Sequence, residues 1–195
     1  MITYISKKLT NRLLTRKVIL PEDLEIYQFG LEQLFTNIID ILTLLGIGIF
    51  MKMLWHAIVF GAAFMFLRKY AGGFHTSTQI RCYYMTTFVI ITTLWIIKYM
   101  PINNFIYYGL ITISSIVILL LSPVESKNKE LDGIEKIIYR RKTIEIWGME
   151  TLLLCLCAFL NHDHLAYGIG FSLIVISISQ ILEVIVCLFR NLRNS

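Results

Sequence analysis

The sequence predicts an all-α, polytopic integral membrane protein with about six membrane-embedded helices preceded by amphipathic N-terminal helices. Three observations carry that prediction. Of 195 residues, 56% are hydrophobic and only 16% charged, against about 25% charged in a typical soluble domain, and the mean hydropathy is +0.69. The apolar residues come in long blocks, without the period-2 or period-3.6 stripes that leave one face for water. Basic residues, which set a net charge of +5, stand at the ends of those blocks, as lysine and arginine do on the cytoplasmic side of a bilayer. An ordinary water-soluble domain is excluded. A nucleic-acid partner is not expected either, because the basic residues form no single patch and no phosphate loop or zinc-finger spacing occurs.

Residues 2–20 read as an amphipathic helix. Ile2, Ile5, Leu9 and Leu13 line one face, while Lys7, Lys8, Arg12, Arg16 and Lys17 supply charge suited to an anionic lipid surface. Pro21, Glu22 and Asp23 start a second helix, since proline needs no amide partner in a first turn and the acids oppose the helix dipole. Basic residues through Lys17 with no apolar run before Pro21 do not form a cleavable signal peptide. Candidate spans follow at 35–51, 53–67, 83–97, 104–121, 144–160 and 165–189. A straight crossing takes about 20 residues, so the stretch 53–67 must borrow from its flanks. Lys52 alone separates it from the span before. The expected organisation is N-terminal interfacial helices over 1–34, one membrane domain over 35–189 with a cytoplasmic loop at 123–143, and a tail at 190–195.

Charge orients this layout. With the N-terminus inside, only Lys52 and Lys98 of the 18 basic residues fall outside, which satisfies the positive-inside rule and places both termini in the cytoplasm. The four cysteines, Cys82, Cys155, Cys157 and Cys187, form no secreted-disulfide framework. Cys155 with Cys157 and His162 with His164 have no zinc-site spacing, and neither metal nor cofactor is expected. Asp40, Glu150, Gln180 and Glu183 lie in or near spans, where a polar group needs a partner or a wet interior.

The most informative segment runs from Arg68 to Cys82: two basic residues, the pair Gly72-Gly73, His75, then Gln79, Arg81 and Cys82. A cysteine is activated when a histidine takes its proton, and cationic neighbours favour the thiolate. Arg68, Lys69 and Arg81 supply the cations. On one straight helix His75 and Cys82 would stand about 10 Å apart, whereas direct proton transfer needs about 3 Å. A fold-back around Gly72–Gln79 is therefore expected. Amides near Gly72, Gly73 and Phe74, or the Gln79 side chain, are candidate oxyanion donors.

Arg68, Gly72-Gly73, His75 and Cys82, following a short apolar span and a basic amphipathic helix, resemble the AgrB family of accessory gene regulator proteins, bacterial multi-pass membrane peptidases that process quorum-sensing propeptides. The likeness covers nearly the whole chain in length and hydropathy, with the specific motif confined to 68–82. The resemblance implies His75 and Cys82 as the catalytic pair, with Arg68 and Gly73 also important, while Gly72, Gln79 and Arg81 are expected in support from the segment's own residues. Ser122-Pro123-Val124-Glu125-Ser126-Lys127 is similar to the start of the family's cytoplasmic loop, although no second proline follows Lys129. Glu125, Lys127, Lys129, Arg140 and Arg141 are the expected substrate-binding residues of that loop. The implied partners are an AgrD-like propeptide, membrane lipids and a second copy of the chain. The implied reaction is cleavage of the propeptide's acidic tail through a thioester, then cyclisation to a thiolactone or lactone. A non-enzymatic transport or export component is the alternative, with Asp40, Glu150 or Glu183 along a polar path.

Overall fold

The computed structural model describes residues 2–74, 79–100, 103–125 and 132–194, and for Ile2, Gln79, Asn191, Arg193 and Asn194 the backbone alone. The chain divides into two compact units, Met1–Thr43 and Leu44–Ser195. All regular structure among the described residues is helical apart from one isolated bridge.

In the first unit, α1 spans Ile2–Thr15 and ends before the expected residue 20. Lys17 turns the chain with φ 55°. A single 3-10 turn, Pro21–Asp23, then leads into α2, Leu24–Phe50. The second N-terminal helix and the first expected span are thus one continuous helix. After Pro21 no proline occurs until Pro101, so nothing in the covalent chain forces a break between the amphipathic and fully apolar stretches.

The second unit takes up α2 from Leu44 and adds α3 (Leu54–Ala71), α4 (Gln79–Tyr99), α5 (Asn104–Leu121), α6 (Gly133–Phe159) and α7 (Asp163–Asn194). Lys52, at φ 59°, makes the break between α2 and α3. Lys98 Nζ donates to the Met51 carbonyl over 2.7 Å, a cation at the carbonyl end of a helix where the dipole favours it. α3 does borrow from its flank, running through Arg68 and Lys69 to Ala71. The Asn103 side chain accepts from the Phe105 amide and starts α5, and Glu135 reaches back to the Asp132 amide to start α6.

Among the described residues four helices are long and apolar enough to cross a membrane: Pro21–Phe50, Ile80–Tyr99, Asn104–Leu121 and Asp163–Arg190. α3 matches α5 in length but carries His56 and a basic end that lower its hydropathy, and the first half of α6 is charged. Apolar side chains face outward on these helices, as with Phe105 of α5 at 87% exposure and Phe159 of α6 at 82%. Lipid accepts such a surface and water does not.

α7 is the central helix of this unit, packed against α3, α5 and α6. Tyr107 of α5, 2% exposed, donates its hydroxyl to the Ala166 carbonyl over 2.8 Å, and the Ser177 hydroxyl donates to that of Ser114. The Tyr107 ring fits because Gly170 has no side chain: a Cβ there would lie 2.0 Å from the hydroxyl oxygen. Gly170→Ala should therefore destabilise the α5–α7 seam by about 1–3 kcal/mol, the usual cost of overpacking. Thermal unfolding in detergent micelles measures this, and an unchanged midpoint would refute the packing argument.

Candidate functional site

The site is built where α3 ends. Gly72 closes the helix, its amide donating to the Arg68 carbonyl over 3.2 Å, and the chain leaves through two residues of positive φ, Gly72 at 75° and Gly73 at 134°. Side chains rarely adopt such angles, and here the space is also taken. A Cβ on Gly72 would lie 2.1 Å from the Val124 carbonyl oxygen, and one on Gly73 2.6 Å from both Arg68 Nη1 and Ser179 Oγ. The glycine pair lets the backbone pass between the loop entry on one side and an arginine–serine contact on the other.

Two elements hold this turn. From the loop, the Val124 amide donates to the Ala71 carbonyl over 3.0 Å, and Val124 pairs with Gly72 in a parallel bridge. From α7, the fully buried Gln180 donates through Nε2 to the Ala71 carbonyl at 2.9 Å and to Ser122 Oγ at 2.8 Å. Ser179, its neighbour, accepts the Phe74 amide at both its carbonyl, 3.1 Å, and its hydroxyl, 3.0 Å. Helix α7 thus presents Ser179 and Gln180 to the end of α3, with Glu183 one turn further on.

Arg68 sits at the centre. Its guanidinium donates to Ser179 Oγ and to the Phe74 carbonyl, lies 5.7 Å from the Phe64 ring centroid, and is within electrostatic reach of Cys82 and Glu183. Both hydrogen bonds are charge-assisted and fix the side chain in one orientation. Cys82, a free and half-buried thiol, stands in the first turn of α4. Arg81, beside it, opens the same helix.

The expected fold-back is described only in part, as the turn Gly72–Phe74. His75 lies outside the described residues, as do Lys127, Lys129 and the side chain of Gln79. The amides of Gly72 and Phe74, candidate oxyanion donors from the sequence, are committed to partners within the protein, because they are what closes α3 and pins the turn. Glu125 pairs with Lys136 at 2.9 Å. Arg140 donates to the Ser122 carbonyl at 2.9 Å and closes the end of α5. Arg141, 81% exposed on its side chain, pairs with Glu145. Both arginines lie in α6, which takes over the expected loop from Gly133 on, and they divide into one that fastens the scaffold and one that faces outward. Among the described residues no three His, Cys, Asp or Glu side chains converge as a metal site.

The sequence reading missed Ser179. A serine in a long apolar helix carries no spacing signal by itself, although Ser179, Gln180 and Glu183 together form a polar cluster within the apolar stretch of α7.

The accessory gene regulator B family model matches residues 3–185, nearly the full chain and all of the site just described. This chain belongs to the AgrB family. Relatives include the accessory gene regulator protein B of Staphylococcus saprophyticus, 22% identical over 153 residues, which covers 78% of this chain and 79% of that protein. An AgrB-like protein of Clostridium perfringens is 24% identical over 181 residues, covering 89% of this chain and 83% of its own length. No solved structure matches. Membership in the AgrB family thus rests on the whole chain, with the Arg68–Cys82 segment inside the matched span.

Proposed function

We propose that this AgrB-family protein is a membrane cysteine endopeptidase that removes the C-terminal tail of an AgrD-like propeptide and passes the acyl group on to make a cyclic peptide. The observation that carries this reading is the placement of the free Cys82 thiol in a helix's first turn, within electrostatic reach of an Arg68 that is itself hydrogen-bonded to the strap leading into His75.

In this reading Cys82 Sγ attacks the scissile carbonyl while His75 takes the thiol proton. His75 returns the proton to the departing amine, the C–N bond breaks, and the tail leaves. An acyl thioester remains on Cys82. A thiol or hydroxyl within the propeptide then attacks that thioester, closing a thiolactone or lactone and regenerating Cys82. Exchange of one thioester for another is nearly isoenergetic, which makes the enzyme-bound intermediate an economical route to the ring. Cyclisation outruns hydrolysis when the substrate nucleophile is held beside the thioester and water is kept away. The cytoplasmic leaflet meets both needs. Both termini in the cytoplasm, a homodimer and contact of the basic N-terminal helix with lipid complete the proposal, with Arg141 and the loop lysines Lys127 and Lys129 meeting the acidic tail.

The test is the purified protein in lipid vesicles with its matched propeptide, followed by mass spectrometry. Tail release together with an acyl adduct mapped to Cys82 supports the peptidase. A folded wild type that neither cleaves nor acylates overturns it and leaves the transport reading.

A further inference from the structure

The Arg68–Cys82 segment leaves from the end of α3, and three histidines gather near its start. Helices α3 and α7 run side by side in the same direction. A Cβ on Gly168 would lie 2.9 Å from Val59 Cγ1 and 3.2 Å from the Phe60 amide nitrogen, and further along Gln180 donates to the Ala71 carbonyl. Val59 and Phe60 stand three and four residues beyond His56, and Gly168 four beyond His164. Residues at those spacings share a helix face, so the close approach at Gly168 also sets His56 against His164. Their ring centroids are 5.9 Å apart with the planes at 62°. His162, in the turn before α7, is likewise 5.9 Å from His164.

We propose that His56 and His164 form a binding site for a divalent transition-metal cation, which clamps the first turn of α3 to the first turn of α7. Imidazole is the commonest metal ligand, and two imidazoles on one tetrahedral ion, each nitrogen about 2.1 Å from the metal, hold their ring centres about 5–6 Å apart. The observed separation falls in that range. His56 is half-buried and both backbones are helical, so little has to be ordered when the ion arrives. Asp163, the first residue of α7, supplies a negative charge that offsets the positive helix ends beside the ion.

Imidazole pairs select zinc, nickel or copper over magnesium and calcium, which seek oxygen. No third His, Cys, Asp or Glu completes a metal set among the described residues, so water fills the remaining positions and the site is open. His56, not His162, is the partner assigned to His164, because helix packing fixes it from both sides while His162 is exposed in a turn. The spacing of His162 and His164 gave no zinc pattern because His56 lies 108 residues before His164. In the proposed orientation, with both termini in the cytoplasm, this end faces outward and takes its ion from the medium. The clamp does not depend on the peptidase reading.

The experiment is zinc titration of the full-length protein, free of any affinity tag, in detergent micelles against a chromogenic chelator, with thermal unfolding in parallel. Wild type should bind zinc at a site that His56→Ala and His164→Ala each weaken at least about tenfold, since loss of a ligand costs no less than loss of an outer-shell partner. His162→Ala should leave that affinity close to wild type. Zinc at about a hundredfold over its dissociation constant should raise the wild-type unfolding midpoint by about 5–10 °C, and magnesium should not. If an alanine variant does not fold, His56→Gln or His164→Gln removes the same imidazole and is read in the same way. Zinc held by the four free cysteines survives all three substitutions, so an affinity that neither His56→Ala nor His164→Ala weakens overturns the proposal. Loss with His162→Ala and none with His56→Ala also overturns it, in favour of a local pair in the turn.

Discussion

On the proposed mechanism Cys82→Ala should abolish tail release from the propeptide, and His75→Ala should do the same, each by at least about a thousandfold because members of a nucleophile–base pair fail as a unit. The two losses differ in kind. Without Cys82 no acyl adduct can form at any pH, since the attacking atom is gone. Without His75 the thiol remains beside Arg68, so slow acylation should return as pH rises and the thiolate forms without a base. The Cys82 side chain is not part of the buried core of the second unit, so Cys82→Ala should keep the wild-type melting temperature in detergent. The measurement is single-turnover cleavage by mass spectrometry from pH 6 to 9. Cleavage by folded Cys82→Ala would remove the thiol from the mechanism altogether.

Gly72→Ala has the second largest expected effect, for a reason unrelated to chemistry. The substitution meets a positive φ of 75° and places a methyl 2.1 Å from the Val124 carbonyl oxygen, a main-chain atom that no rotamer change can move. Left-handed backbone costs a non-glycine residue roughly 1–2 kcal/mol, and the clash adds to it. The cheapest relief is to open the bridge to Val124, which releases the turn between α3 and α4. Activity should therefore fall more than about a hundredfold, since small misplacements of reacting groups are costly, while far-ultraviolet circular dichroism stays helical. Gly72→Ala with near-normal cleavage would show that the bridge is dispensable.

Much of this molecule was legible in its sequence because the signals were local. Lys52 in an apolar field marked the break between α2 and α3, and the basic end of α3 marked where its short apolar stretch borrows residues. Gly72-Gly73 marked a turn for the reason the structure gives, an angle that other residues avoid. The join between residues 34 and 35 was misread as a boundary between helices. Hydropathy changes there, but hydropathy does not break a helix, and no proline or cap stands in the way. The partners of the turn were illegible for a different reason. Ser179 is 111 residues from Arg68 and Gln180 is 109 from Ala71, so only the packing of α7 on α3 brings them together. Arg140 read as a substrate contact because the loop is charged, and its hydrogen bond to Ser122 depends on where α5 ends.

The bridge between Gly72 and Val124 is made by main-chain atoms, and a join of that kind is indifferent to the identity of the side chains it connects. The bridge itself therefore places no demand on the side chains of the loop between Val124 and Asp132, whereas Arg140, Ser179 and Gln180 further on hold the turn and its scaffold through theirs. Under the proposed peptidase function, a loop free to drift near Cys82 would let one scaffold follow a changing cognate peptide. Exchanging the segment after Val124 between two homologues should accordingly transfer peptide preference while leaving the rate on the matched peptide intact.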